Sequence, residues 1–290
     1  MWRSDRYGPQ VALRVGAGGA SYRIDAGAVV GVLRRDGPES GRMPVCSLAE
    51  RLGAADAGSA GGLILTLESR WGRFGLAVDS AEKPPGLGAV RSVRLPRGLP
   101  AWFTGVVPFA GEMLMCLSAD ALHPEASRGE SLPDGFAEVV PVAPFTSREP
   151  ARRPVLLFSL PGLDVTFVLS AAQIVELGAP GRVWSVPGAP AWFRGVTEWR
   201  ARPLPVVDLA GCLQQPPTPA SSVRRFLIAR SARSAETVAL PIGADISSRA
   251  LPLPYGRWTR EAPFSMEHVR GLFEGDGRPV VAPDLDAIMS

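Results

Sequence analysis

Lysine is almost missing from this chain: Lys83 is the only one, and every other strong base is arginine. That bias reads as the codon usage of a GC-rich genome. The 31 basic and 28 acidic residues are interspersed and leave a formal net charge of +3, with a sequence pI near 9.0. A nucleic-acid binder needs a basic stripe, and none stands out, so that partner class is set aside. Cysteine is scarce too: Cys46, Cys116 and Cys212 are far apart and in no metal-ligand spacing. They are expected to be buried thiols in a reducing compartment.

No uncharged apolar run approaches the ~18 residues that span a bilayer. The N-terminal Met1-Trp2-Arg3-Ser4-Asp5-Arg6 leads into no apolar segment, so no signal peptide is expected and the chain is expected to be cytoplasmic. The catalytic inventory is equally thin. There is no Gly-Lys-Ser/Thr phosphate loop, no Gly-x-Ser-x-Gly elbow and no metal cluster. The histidines are His123, placed at the start of a linker, and His268, ahead of the last glycine hairpin. Nothing around His268 resembles a phosphotransfer helix. Gly16-Ala17-Gly18-Gly19 evokes a dinucleotide loop, but a strand pattern follows it instead of a helix. Glu274-Gly275-Asp276-Gly277 lacks the ligand count of a calcium loop and reads as a hairpin turn. The expectation is a non-enzyme with no cofactor and no metal.

Glycine (32) and proline (29) are plentiful, and hydrophobic residues make up 46%, enough for a substantial core. Short alternating or apolar runs separated by turn residues recur along the chain. Residues 10–34 hold two or three strands, and Leu63–Leu67 and Phe74–Val78 flank a turn. Arg225–Arg230 and Thr237–Ile242 do the same. Ser47-Leu48-Ala49-Glu50 has the form of a capped short helix after Met43-Pro44-Val45-Cys46, and Asp208–Leu213 repeats that place in the second half. Strands this short and closely spaced predict small all-β barrels with few short helices. Residues 123–153 change character and read as a linker in which Val139–Val142 could dock as an edge strand.

One heptapeptide is written almost twice: Pro-Ala-Trp-Phe-Thr-Gly-Val at 100–106 and Pro-Ala-Trp-Phe-Arg-Gly-Val at 190–196. In the second half the order is Ile174-Val175-Glu176, Pro190–Val196, Glu198-Trp199-Arg200, then Pro205-Val206-Val207-Asp208-Leu209. It closes with Val269-Arg270-Gly271-Leu272 and Pro279-Val280-Val281. This resembles the CheW family of adaptor domains of bacterial chemosensory arrays. The resemblance implies tandem CheW-like domains, each of two SH3-like five-stranded β-barrels: a reduced domain at 1–124, a linker at 125–152 and a second domain at 153–290. A CheW domain carries the Gly-Val hairpin once per barrel, so the two heptapeptides need not be positional equivalents.

Two registers for the first half stay open. In one, Gly31-Val32-Leu33 is its first Gly-Val hairpin. In the other, Tyr22 to Val32 matches Thr166 to Leu177 and that hairpin is deleted. The halves also differ in complementary ways. Gly75–Asp79 keeps an aspartate that Ala239–Gly243 lacks, and Pro205–Leu209 keeps an aspartate where Pro44–Leu48 has Ser47.

The resemblance implies protein–protein contacts through Ile174, Glu176, Val196, Glu198, Trp199 and Arg200. Ile174 and Glu176, two apart on a strand, are expected on one side of it. Arg200 is the first choice, since an arginine fork pairs carboxylates and stacks on aromatics. The resemblance places glycine at 201, where Ala201 stands, and alanine is expected to give up positive φ there. Trp192 and Trp199 are expected in the core more than at an interface, and Trp258 is a candidate anchor. The implied function is a non-enzymatic adaptor that couples a CheA-type histidine kinase to receptors or other CheW-like proteins. It would meet the membrane only through receptor arrays, not by insertion. The alternatives are a diverged scaffold acting in motility, polarity or other regulation, and, further off, an enzyme on a barrel scaffold.

Overall fold

The computed structural model describes residues 12–35, 43–53, 62–126 (bar 91, 94 and 97), 154–250, 256–257 and 262–289 (bar 276). Val139–Val142 and Trp258 lie outside the described residues. The chain is all-β, in two compact units. No described helix is long and apolar enough to cross a membrane.

The first unit runs β1 (Ala12–Ala17), β2 (Ala20–Asp25), β3 (Val29–Arg34), β4 (Val45–Ser47), α1 (Leu48–Arg51), β5 (Leu63–Ser69), β6 (Gly72–Val78), β7 (Ser80–Glu82), β8 (Phe103–Phe109), β9 (Glu112–Leu117) and α2 (Ala119–Leu122). Its sheets have the orders β7-β1-β2-β9-β8 and β3-β5-β6-β4. The second unit runs β10 (Pro154–Ser159), β11 (Thr166–Ser170), β12 (Ile174–Gly178), β13 (Val183–Trp184), β14 (Phe193–Trp199), β15 (Arg202–Val207), α3 (Leu209–Cys212), β16 (Arg225–Arg230), β17 (Thr237–Ile242), β18 (Ile246–Ala250), β19 (Gly256–Arg257), β20 (Val269–Gly275), β21 (Arg278–Pro283) and α4 (Leu285–Met289). Its sheets are β18-β10-β11-β21-β20-β19 and β12-β16-β17-β15-β14-β13. Apart from the two-residue strands β13 and β19, both have five strands.

Each strand of the first unit has a counterpart in the second. β1, β2 and β3 take the places of β10, β11 and β12, and a bulge falls at the same point of β3 (Val29/Gly31) and β12 (Ile174/Glu176). This selects the second register. Gly31 belongs to β3, and the described residues of the first unit hold no counterpart of β14. Gly105 belongs to β8, which opens the hairpin that ends the first unit, whereas Gly195 belongs to the earlier hairpin of the second. The two heptapeptides therefore occupy different positions in their units.

Their local structure is nonetheless one module, present three times. The Phe103 N–H donates to the Pro100 carbonyl and that of Phe193 to Pro190, both at 2.9 Å; Val269 does the same to Met266 at 3.1 Å. After each hairpin the N-cap residue of the following helix donates its N–H back: Ser118 to Trp102 (2.8 Å), Asp208 to Trp192 (2.7 Å) and Asp284 to His268 (2.8 Å). The Trp-Phe pairs sit edge to face in both heptapeptides, with centroids 5.8 and 5.9 Å apart.

Burial explains the strand sequences. β16 and β17 read as continuous apolar runs because both faces are covered. Leu227, Ala229 and Leu240 join Phe158, Phe167, Leu209, Leu285 and Ile288 in the central core of the second unit. Phe226, Ile228 and Ala239 face the other way, onto Leu204 and Val206. In the first unit the Asp79 carboxylate accepts the Gly18 N–H of the β1–β2 turn at 3.0 Å. The matching turn carries Pro161, which has no N–H to offer, and Pro161 Cγ stands 3.4 Å from where a Cβ on Gly243 would be. That accounts for the aspartate lost at 243. His123, placed in a linker by sequence, is instead buried, its ring edge-on to Phe74 at 5.1 Å. Cys46 is half-buried, while Cys116 and Cys212 are buried.

Each last helix is stapled by its second residue. The Arg70 N–H donates to Asp120 Oδ1 and the Arg233 N–H to Asp286 Oδ1, both at 2.7 Å. Slight burial pushes the Asp286 carboxyl up, but the Ser231 hydroxyl, the Arg233 N–H and the charges of Arg233 and Arg270 outweigh it and hold it below the usual range. The stabilisation is therefore complete above the ordinary aspartate value of about 3.9 and is lost as pH falls through the lower native value. Asp286→Asn should lower the stability measured by urea denaturation at pH 7 by no more than about 1 kcal/mol, because the carboxyl is only slightly buried and water screens its charge. The difference from wild type should shrink below about pH 4.

Gly195 has φ 129°, and a Cβ there would lie 2.1 Å from the Trp184 carbonyl oxygen across β13–β14. Nothing lies within 4 Å of a Cβ built on Gly31. Urea denaturation should show Gly195→Ala losing about 3 kcal/mol or more, and Gly31→Ala within about 0.5 kcal/mol of wild type.

Candidate protein-binding site on the second unit

The residues between Phe193 and Val207 form a hairpin whose two-residue turn is Arg200-Ala201. Both are left-handed, with φ 52° and 57°. That is the type I′ geometry whose twist suits a tight hairpin and whose usual occupants are Asn and Gly. Alanine at 201 was expected to abandon positive φ. It keeps it, because the strands on either side fix the turn. The cost for a residue with a Cβ is of order 1 kcal/mol, and the strain sits beside the first-choice site residue.

Glu176 reaches this turn from the other end of the sheet. The Trp199 indole Nε1–H donates to Glu176 Oε2 at 3.2 Å, and Arg200 Nη2 donates to the same oxygen at 2.7 Å. The Arg200 guanidinium lies 4.6 Å from the centre of the Trp199 ring. In the sheet order β12 is the first strand and β14 the fifth. Their side-chain contact shows that the sheet curls until its ends meet, with Glu176 as the clasp. The Trp199 ring itself packs against the cluster of Leu204, Val206, Phe226 and Ile228, next to Val175. The Arg200 side chain is 66% exposed and that of Glu176 38%. The ion pair is therefore worth little to stability, and the guanidinium is open to a partner.

Three of the six expected residues thus come together: Glu176, Trp199 and Arg200. Glu198 is exposed on the same strand. Val196 is 1% exposed and paired with Trp184, so it holds β14 in place from inside. Ile174 packs on the central core. Ile174 and Glu176 do not share a side of the strand. The bulge sets Ile174 opposite Ala229 and Glu176 opposite the next residue, Ile228. An extra residue in one strand breaks the two-residue alternation.

Sequence reasoning missed the lock beneath the hairpin. Asp208 is wholly buried at the N-cap of α3. Its Oδ1 accepts from the Ala210 N–H (3.0 Å) and the Thr218 hydroxyl (2.9 Å). Its Oδ2 accepts from the Thr218 N–H (2.8 Å) and Arg194 Nη1 (3.0 Å). Arg194 also donates to the Thr218 carbonyl. The signal was available: residue 104/194 is the single difference between the two heptapeptides. Other exposed apolar side chains missed by sequence are Leu177 and Val183. No group of three or more His, Cys, Asp or Glu among the described residues could hold a metal.

Residues 154–290 match the family model of the CheW-like domain. The match starts at β10 and runs through the strands of the second unit. No curated protein matches the chain. Among solved structures the chain is similar to the scaffolding protein TtCheW from Thermoanaerobacter tengcongensis, at 17% identity and a TM-score of 0.38, over 47% of this chain and 90% of that one.

Relief of the strain at the turn gives a direct check. Ala201→Gly should raise stability by about 0.5–1 kcal/mol in urea denaturation. Arg200→Ala should change it by less than about 1 kcal/mol.

Proposed function

We propose that this protein is a non-enzymatic adaptor that holds a CheA-type histidine kinase beside receptors or other CheW-like domains by protein–protein contacts. The observation that carries the reading is the match of residues 154–290 to the CheW-like domain model. In this reading the chain is a reduced CheW-like domain at 1–124, a linker at 125–152 and a full domain at 153–290, working in the cytoplasm at receptor arrays.

The geometry suits Arg200 to the part. Stacking on Trp199 and pairing with Glu176 fix the guanidinium before a partner arrives, so little side-chain freedom is lost on binding. A partner carboxylate can replace that of Glu176 on an exposed arginine, and the indole beside it supplies apolar area; Trp and Arg are the usual anchors of such contacts. With a second domain on the same chain, avidity can exceed either single affinity by roughly a hundredfold where the linker spans both sites.

Calorimetric titration of the whole chain against a CheA-type kinase and against a receptor cytoplasmic domain tests this. Arg200→Ala should weaken one of the two by about 1–3 kcal/mol, roughly fivefold to 150-fold, with the fold retained. Unchanged dissociation constants for both would reject the assignment of Arg200. Co-purification of motility or polarity proteins, with no kinase or receptor, would reject the chemosensory reading.

A further inference from the structure

The first unit ends its smaller sheet where the second unit does not. The pairing registers set Gly31 at the place of Glu176, Thr66 at that of Ile228, Gly75 at that of Ala239 and Val45 at that of Val206. In the second unit Val206, Ile228 and Ala239 belong to one apolar cluster with Trp199 of β14 packed against it, and Glu176 accepts from the Trp199 indole. In the first unit three of the four are smaller or more polar, and no described strand lies beyond β4. Val206 is 1% exposed, whereas Val45 is 42% exposed. Among the described residues the clasp is gone in both its halves: Gly31 stands in place of the carboxylate, and no described strand brings a tryptophan and arginine to meet it. Val45 and Ile64 lie over Gly75 instead, where a Cβ would stand 2.9 Å from Val45 Cγ2 and 2.8 Å from Ile64 Cγ2.

Among the described strands the backbone of β4 is paired on one side. The Gly75 N–H donates to the Pro44 carbonyl at 2.8 Å, and β4 runs parallel to β6 with Cys46 opposite Leu76. Alternation along a strand then turns the groups of Cys46 toward β6 and the N–H and C=O of Val45 away from it, toward the open edge. An exposed apolar residue on an unpaired edge is a template for another strand.

We propose that β4 is a docking edge for an extended strand of a partner protein, which lies antiparallel on it with an apolar side chain over Val45, as β14 lies on β15 in the second unit. The second unit shows the chemistry of the occupant: Phe193–Trp199, apolar residues around a glycine that allows close approach. A second copy of this chain is a poor donor, because its β14 is already committed to β15. The inference deepens the adaptor reading by naming a contact surface in the reduced domain, and its geometry does not depend on which signalling system is served.

The test uses the whole chain and a fluorescent peptide with the sequence of residues 190–199, followed by anisotropy and by hydrogen exchange at residues 45–47. Saturable binding with a dissociation constant below about 1 mM, slowed exchange at Val45, and at least tenfold weaker binding for Val45→Lys are expected. Val45→Pro, which removes the outward N–H, serves as the second variant, and circular dichroism verifies the fold of both. Lack of saturation, or equal binding by wild type and Val45→Lys, would overturn the proposal. So would concentration-dependent self-association in sedimentation that Val45→Lys abolishes, since the occupant would then be a second copy. The mixture contains no kinase or receptor, so its failure leaves the Arg200 reading standing, and the reverse holds as well.

Discussion

Every sheet here is completed by a parallel pair. Tyr22 to Ile24 of β2 lie beside Met115 to Leu117 of β9, and Thr166 and Phe167 of β11 beside Val280 and Val281 of β21. Val45 to Ser47 lie beside Gly75 to Ala77, and Val206 beside Ala239. No tight turn can make such a pair. The chain must travel through other strands first, so the order of each unit rests on contacts between distant residues, whose closure entropy is lost before any stabilisation is gained. The cluster around Arg200 inherits this dependence. Glu176 meets Trp199 and Arg200 only because β15 has docked on β17 and carried the hairpin around the curl.

Within that frame the hairpin module varies in a concerted way. Where the capping residue is Asp208, the strand carries Arg194, which meets the buried carboxylate. Where it is Ser118, the strand carries Thr104, whose hydroxyl donates to the Cys116 carbonyl at 3.3 Å. The third copy has Arg270 with Asp284, and the charge of Arg270 acts on neighbouring Asp286. A buried carboxylate without a cation is costly and a buried arginine without an acid equally so; the neutral pair avoids both.

Much of this was legible in the residues. Apolar runs between turn signals located β16 and β17 to the residue, and Ser47 was readable as a cap, accepting the Glu50 N–H at 3.4 Å. The cluster of Glu176, Trp199 and Arg200 was legible through the family resemblance. What sequence hid was non-local. The bulge in β12 depends on what β16 sets opposite it. The positive φ of Ala201 is imposed by strands, against the preference of alanine. His123 is buried because Phe74, 49 positions earlier, lies against it.

The threefold hairpin carries its own closing bonds: a turn at its entry, a return bond from the cap, a glycine at its crossing. Such a part depends little on the place it fills. It can be duplicated, transferred between halves of a gene or excised, and the neighbouring strands keep their partners. The first unit, in whose smaller sheet no described strand lies beyond β4, keeps every other pairing of that sheet, so the order of the sheet does not depend on a hairpin at its end.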